Sequence, residues 1–401
     1  FINSLLFQDI SAKGAERSLG IFYIIGQLFV NSLQLVIIPM VFTSITLAMC
    51  HISDSKKLGR ISYKTLSFFL ISSLIALVIA GIVGMLVYKS GGFNVKITSG
   101  VNMVKGKSGS NPLLVFMSIV PNNIFSAFSN NGGVLATVFL AVSTGLCINV
   151  LGDKIKYLKT VFQEINDIVV KFLSFVINKF GPIAIFVLLT RTFASYGIDH
   201  LKPAMVYVVV TTITLLIFLV FGYSILIAVS TGLSPIPFVR KAAKVALFGF
   251  STSSSAATLP LNKKTTVEEL GVSDDIASFV LPLGMTTNMN GTAIMQVIAS
   301  VFVAAAAGYE VTMTNIFVIG LLALIASVGT PAPGAGAVVL FTILSGLGYV
   351  NDSAILVYSL ILAINRPIEM LVTSLNVIGD SATSIYVAKT ENMLDIDTYN
   401  K

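Results

Sequence analysis

Five polar residues, Thr286, Thr287, Asn288, Asn290 and Thr292, fall together in the stretch LGMTTNMNGTAI at 283–294, inside otherwise apolar sequence. A second set, Arg366, Glu369, Thr373, Asn376 and Asp380, is spaced 3, 4, 3 and 4 residues apart, so all five point to one stripe of a helix. Asp380 stands among Asn and Gly without a basic neighbour. Such a carboxylate suits a hard monovalent cation, and carbonyls freed by a broken helix at 286–292 or at SVGTPAPG would complete the shell. The plainer alternative is structural: Arg366 and Glu369 neutralise each other one turn apart, while Asn376 and Asp380 face a solvated surface. Against it, an uncompensated charge at the centre of a membrane helix costs roughly 2.5 to 3.5 kcal/mol even on lenient scales. The serine-rich STSSSAATLP at 251–260 suits a substrate carboxylate, through amides and hydroxyls at a hairpin tip. It serves equally well as a small-residue patch for close helix packing. Nothing points to an enzyme or an organic cofactor: GxSxG, HExxH and a Walker lysine are absent, and His51 and His200 sit beside loops.

These residues must be carried by membrane helices. Of 401 residues, 55% are hydrophobic and 11% charged, and the mean hydropathy is +0.91. The chain reads as an all-α polytopic membrane protein in a lipid bilayer. The net charge of +7 does not indicate nucleic acid. Lys56, Lys57, Arg60 and Lys64, Lys154, Lys156 and Lys159, and Arg240, Lys241 and Lys244 fall in short connections, the positive-inside pattern of a plasma (inner) membrane protein. Cys50 and Cys147 form neither a disulfide framework nor a metal cluster.

The opening FINSLLFQ reads as the end of a first helix largely outside this sequence. A span over 20–50 is expected to kink at Pro39. Further expectations are a span over 64–89, an external loop at 90–112, a helix in pieces over 113–150, a long helix over 157–195 and a span over 203–231. The last 170 residues differ. There, two blocks with short apolar arms read as re-entrant hairpins, at about 238–264 and 314–348, alternating with polar helices at about 274–306 and 353–390. A hairpin and a broken helix, repeated, is how inverted-repeat transporters mark a midplane site. Residues 391–401 form a cytoplasmic tail.

The combination resembles the dicarboxylate/amino acid:cation symporters, a family that includes glutamate transporter homologues and neutral amino acid exchangers. Its marks are TSSSAATLP, NMNGT where the family has NMDGT, SVGTPAPGAG and NVIGD, in the family's order, with NSLQLVIIPMVFTS early in the chain. The resemblance implies an eight-helix topology with two re-entrant hairpins, a homotrimer, and an elevator mechanism. In that scheme 1–63 and 113–195 are scaffold, while 64–89 and 203–390 form the moving transport core. It further implies one Na+ site at Gly284, Asn288, Asn376 and Asp380, and a second at Thr286, Ser327, Val328 and Thr330. Substrate would meet Ser254, Ser255, Thr292, Pro331, Ala332, Val372, Thr373 and Asn376, with Glu369 on its amino group and Arg366 within reach.

Two departures qualify this. The family's third Na+ site uses the aspartate of NMDGT and a tyrosine; here Asn290 and Phe69 stand there, although Ser72 and Ser73 remain. Fewer coupled Na+, or a proton carried by Glu369, is the expectation. The arginine that meets an acidic side chain in relatives is replaced by Val372. That favours a small neutral amino acid, because an unpaired buried charge is costly. The alternative is an acidic amino acid or dicarboxylate clamped by Arg366. Outside secondary transport, the competing readings are an anion-leaking channel and a receptor or structural membrane protein, which leaves the charged stripe unexplained.

Overall fold

The computed structural model describes residues 21–50, 56–93, 119–129, 134–155, 157–184, 186–187, 190, 201–327 and 335–401. In chain order its helices are α1 (Ile21–Leu35), α2 (Ile37–Cys50), α3 (Lys56–Lys89), α4 (Ile124–Phe128), α5 (Val134–Leu151) and α6 (Leu158–Phe175). These are followed by α7 (Leu201–Ile217), α8 (Tyr223–Thr231), α9 (Pro235–Thr252), α10 (Ser255–Glu268), α11 (Asp274–Thr287) and α12 (Asn290–Ala306). The last are α13 (Met313–Ser327), α14 (Ala335–Leu347), α15 (Asp352–Ile364), α16 (Arg366–Thr390) and α17 (Ile396–Asn400). Among the described residues there is no strand, only an isolated bridge between Val272 and Leu394.

Among the described residues, four stretches are long and apolar enough to cross a membrane: Ile24–Leu47, Gly59–Lys89, Lys202–Thr231 and Asp274–Ala306. The pair α15 and α16, bent by 69°, adds a fifth if counted as one span. The chain is a multi-pass membrane protein of all-α architecture. A kink is expected at Pro39; the helix is interrupted at Val36, three residues before the proline, which leaves Pro39 in the first turn of α2. A first turn tolerates the missing N–H. The span expected over 64–89 begins earlier, at Lys56, and carries its basic residues as helix rather than loop.

Both hairpins appear as paired helices. The arms of the first are α9 and α10, joined at Ser253, a non-glycine residue at φ 49, and Ser254, whose hydroxyl accepts from Ala257 N at 3.2 Å. A left-handed serine is a sparsely populated conformation, of order 1–3 kcal/mol, held here between the end of α9 and the start of α10. The arms of the second are α13 and α14; its tip, 328–334, lies outside the described residues. The expected break at 286–292 is present: α11 ends at Thr287, and α12 restarts at Asn290.

Packing centres on α16 and α12. Helix α16 packs against α9, α10, α11 and α12, and α12 also packs on α3. Residues Asn290 to Ala304 of α12 are all buried, the polar Asn290, Thr292, Gln296 and Ser300 among them. Helix α2 packs against α5 and α6, and this group meets the rest through α5 on α13 and α2 on α11 and α14.

The expected tail is a docked segment. Glu391 pairs with Arg60 and Lys64 of α3, both at 2.6 Å. Asp395 N donates to Gly271 O at 2.8 Å, and Ser273 N to Met393 O at 3.1 Å. Lys241 Nζ meets three carbonyls, of Glu269, Thr398 and Tyr399, each at 2.8 Å. Buried Tyr399 donates to Ser234 O at 2.8 Å. The base of the first hairpin is therefore stapled to the far end of α16.

Candidate functional site

Two polar clusters flank the break between α11 and α12. The first joins α11 to α16. Asn288 Nδ2 donates to Asp380 Oδ1 at 2.9 Å and to Asn376 O at 3.0 Å, and Asn288 N donates to Gly284 O at 2.8 Å. Asp380 is 3% exposed, and no basic side chain pairs with it among the described residues. Asn288 Oδ1 is buried without a partner. Gly284 has no room for a side chain: a Cβ would run into the Asp380 carboxylate and stand 3.0 Å from the Phe69 ring. A buried carboxylate with one amide donor is electrostatically incomplete, since an unpaired buried charge costs several kcal/mol. Together with an orphaned amide oxygen and nearby carbonyls it has the donor chemistry of an alkali cation site. Groups of three or more His, Cys, Asp or Glu that would suit a transition metal are absent among the described residues.

The second cluster joins α12 to α3 and α8. Ser73 Oγ donates to Asn290 Oδ1 at 2.5 Å, while Asn290 Nδ2 donates to Ser72 Oγ at 2.9 Å and to Tyr223 OH at 3.0 Å. Ser72 Oγ donates in turn to Phe69 O at 3.0 Å. Asn290, Tyr223, Ser72 and Ser73 are all buried. Every polar end of the Asn290 amide is occupied, and the set carries no formal charge.

Along α16, Asn376 closes the gap to the helix break. Its Oδ1 accepts from Gly291 N at 2.8 Å, and its Nδ2 donates to Thr292 Oγ1 at 3.3 Å and Met289 Sδ at 3.4 Å. Thr373 Oγ1 turns back to Glu369 O at 3.1 Å, and Val372 is buried. Ser255 is buried in the first turn of α10. The structure thus brings Gly284, Asn288, Asn376 and Asp380 together, Thr292 with Asn376, and Ser72 and Ser73 with Asn290. Thr286 Oγ1 donates to Leu283 O at 3.0 Å and Ser327 to Ala323 O, each within its own helix. Val328, Thr330, Pro331 and Ala332 lie outside the described residues.

One expectation is corrected. The stripe from Arg366 to Asp380 does not form a single buried face: the Arg366 side chain is 59% exposed and Glu369 19%, with 3.6 Å between them. The cause is the bend at Asn365, which makes Arg366 the first residue of α16. Its side chain projects past the packed part of the helix.

Several residues escaped the sequence reading. Asn262 Nδ2 donates to Val377 O at 2.9 Å and Asn262 Oδ1 accepts from Ser381 Oγ at 2.6 Å, tying α10 to α16. Tyr223 and Gln296 lie in apolar runs. Spacing gives no signal for either. Only the rarity of an amide in a buried helix marks Gln296.

Comparison with known proteins settles what this arrangement belongs to. The Sodium:dicarboxylate symporter family profile matches residues 5–390. The chain belongs to that family. A proton/sodium-glutamate symport protein of Bacillus caldotenax is 29% identical over 378 residues, covering 92% of this chain and 87% of that protein. A C4-dicarboxylate transport protein of Rhodopseudomonas palustris (strain BisB5) is 30% identical over 379 residues, covering 93% and 83%. Another, from Rhizobium etli, is 28% identical over 411 residues, covering 98% and 91%. Membership in the symporter family makes this protein a cation-coupled transporter of small molecules at the plasma membrane, and not an enzyme.

Proposed function

We propose that the protein couples uptake of a small neutral amino acid to Na+, with protons as the alternative coupling ion, by an elevator movement within a homotrimer. The observation that carries the coupling is the Asp380 and Asn288 pair: a partnerless amide oxygen at the helix break and a buried carboxylate on α16 beside it. Na+ is cargo at this site, held with Asn376 and Gly284. Thr286, Ser327, Val328 and Thr330 are the proposed second set. The Asn290 cluster does not bind an ion in this reading, because its hydroxyls and amide already satisfy one another.

The substrate preference rests on Val372. A buried valine beside Asn376 and Thr373 gives a substrate carboxylate side chain no bidentate partner. Ser254, Ser255 and the tip of the second hairpin would hold the α-carboxylate, and Glu369 the amino group. A proton riding on Glu369 is the route by which pH would enter the coupling.

A second reading is favoured by the relatives, which are named for glutamate and C4-dicarboxylates. In it Arg366, held loosely at 3.6 Å from Glu369, swings to clamp an acidic substrate. A binding screen of the common amino acids and of C4-dicarboxylates on purified protein, with and without Na+ at two pH values, separates the two. Tight aspartate or succinate binding that Arg366→Ala abolishes would overturn the neutral reading. Accumulation of substrate against its gradient in sealed vesicles excludes a channel.

A further inference from the structure

Gln296 is a buried polar side chain that neither cluster at the helix break uses. It is fully buried within α12. Its Nε2 donates to Gly336 O at 2.8 Å, and its Oε1 is buried with no partner. That orientation is forced, because only the amino end of an amide can meet a carbonyl. Gly336 lies in the first turn of α14, where the second arm of hairpin two begins. A Cβ on Gly336 would stand 3.3 Å from Glu369 Oε1, 3.2 Å from Met295 Cε and 3.8 Å from Gln296 Nε2. An amide with one acceptor left over and a carboxylate therefore flank the same glycine.

An amide with an unpaired oxygen and a carboxylate, both within 4 Å of where a Gly336 side chain would begin, favour a donor that carries several hydrogens and positive charge. An ammonium group offers three N–H and neutralises the carboxylate. A dicarboxylate without an amino group offers no N–H and meets Glu369 as like charge, leaving Gln296 Oε1 unpaired in the loaded state. We propose that Gln296 is a specificity-determining residue that shares the substrate's amino group with Glu369 and so selects amino acids over carboxylates that lack one. This rests on the amino acid reading given above and adds to it a residue of α12, opposite α16.

The test uses matched compounds that differ at the amino group: L-aspartate against succinate, and L-alanine against L-lactate. Binding to the purified full chain is measured by calorimetry in saturating Na+, for the wild type, Gln296→Leu and Gln296→Met. Gly336→Ala, which sets one methyl against the Glu369 carboxylate and the Gln296 amide and removes neither, is the second line of attack. The expected result is a loss of about tenfold in affinity for the amino member of the pair, with less than about twofold change for its partner. Equal losses for both members would mean that Gln296 merely holds hairpin two in place, and would overturn the assignment. Unchanged affinity for the amino member would overturn it as well. If the wild type binds succinate and none of the common amino acids, the amino acid reading itself fails, and this assignment falls with it. If the wild type binds an amino acid and the variants do not discriminate, only this assignment falls.

Discussion

Asn288 and Asn290 stand two residues apart at the same helix break, carry the same side chain and are equally buried, yet their surroundings are opposite. Asn290 has its Oδ1 and both N–H groups matched by Ser73, Ser72 and Tyr223. Asn288 spends its N–H groups on Asp380 and Asn376 and leaves Oδ1 with nothing. The Asn290 set is neutral and closed; the Asn288 set holds a carboxylate without a counter-charge. Residue type alone does not locate a cation site. What locates it is the balance of charges and lone pairs left after the protein has satisfied itself.

The comparison can be broken most severely at Asp380. Asp380→Asn keeps the shape and removes the charge, and is expected to weaken Na+-dependent substrate binding by at least about 100-fold. Asn288→Leu removes the orphaned oxygen and should cost about 10- to 100-fold in apparent Na+ affinity. Substrate titrations at several Na+ concentrations read both effects. The next substitution sharpens the contrast instead. Asn290→Asp places a carboxylate among Ser72, Ser73 and Tyr223, converting the closed cluster into one resembling its neighbour. The thermal stability of this variant should fall without Na+ and recover with it, more steeply than the wild type responds. A loss that Na+ does not restore would show that the cluster cannot be turned into an ion site.

Smaller effects follow. Tyr223→Phe deletes one partner of Asn290 and should lower stability by about 1 kcal/mol in denaturant unfolding. The staple at Glu391 gives the smallest. Arg60 and Lys64 hold the Glu391 carboxyl below its usual range, chiefly through the hydrogen bond from Arg60 and then that from Lys64. A depressed acid stabilises the fold above its unfolded pKa and loses that contribution as pH falls through the lower folded value. Glu391→Gln should therefore be slightly less stable than the wild type at neutral pH. The difference should close below roughly pH 4, as followed by melting temperature.

Much of the fold was legible because membrane helices obey simple rules. Apolar length marked the spans. The paired short arms of the two hairpins and the NMNGT break were visible as polar interruptions that no lipid-exposed helix could carry. The periodicity from Glu369 to Asp380 placed these residues on one helix, but it could not show that α16 begins at a 69° bend, which is why Arg366 emerged exposed. The partners of Asn290 were foreseen in part, as Ser72 and Ser73. Tyr223 was not, because a tyrosine in an apolar run looks like packing until a second chain segment is brought against it. The docked segment 391–401 was equally silent: its bonds run mostly through main-chain carbonyls, which side-chain identity does not report.

The central claim is that the Asp380 cluster takes a cation and the Asn290 cluster does not. The ratio of Na+ to substrate, read from reversal potentials in proteoliposomes, tests it most directly. Roughly two Na+ per substrate at most are expected, from the sets around Asp380 and Thr286. A measured ratio of three would contradict it.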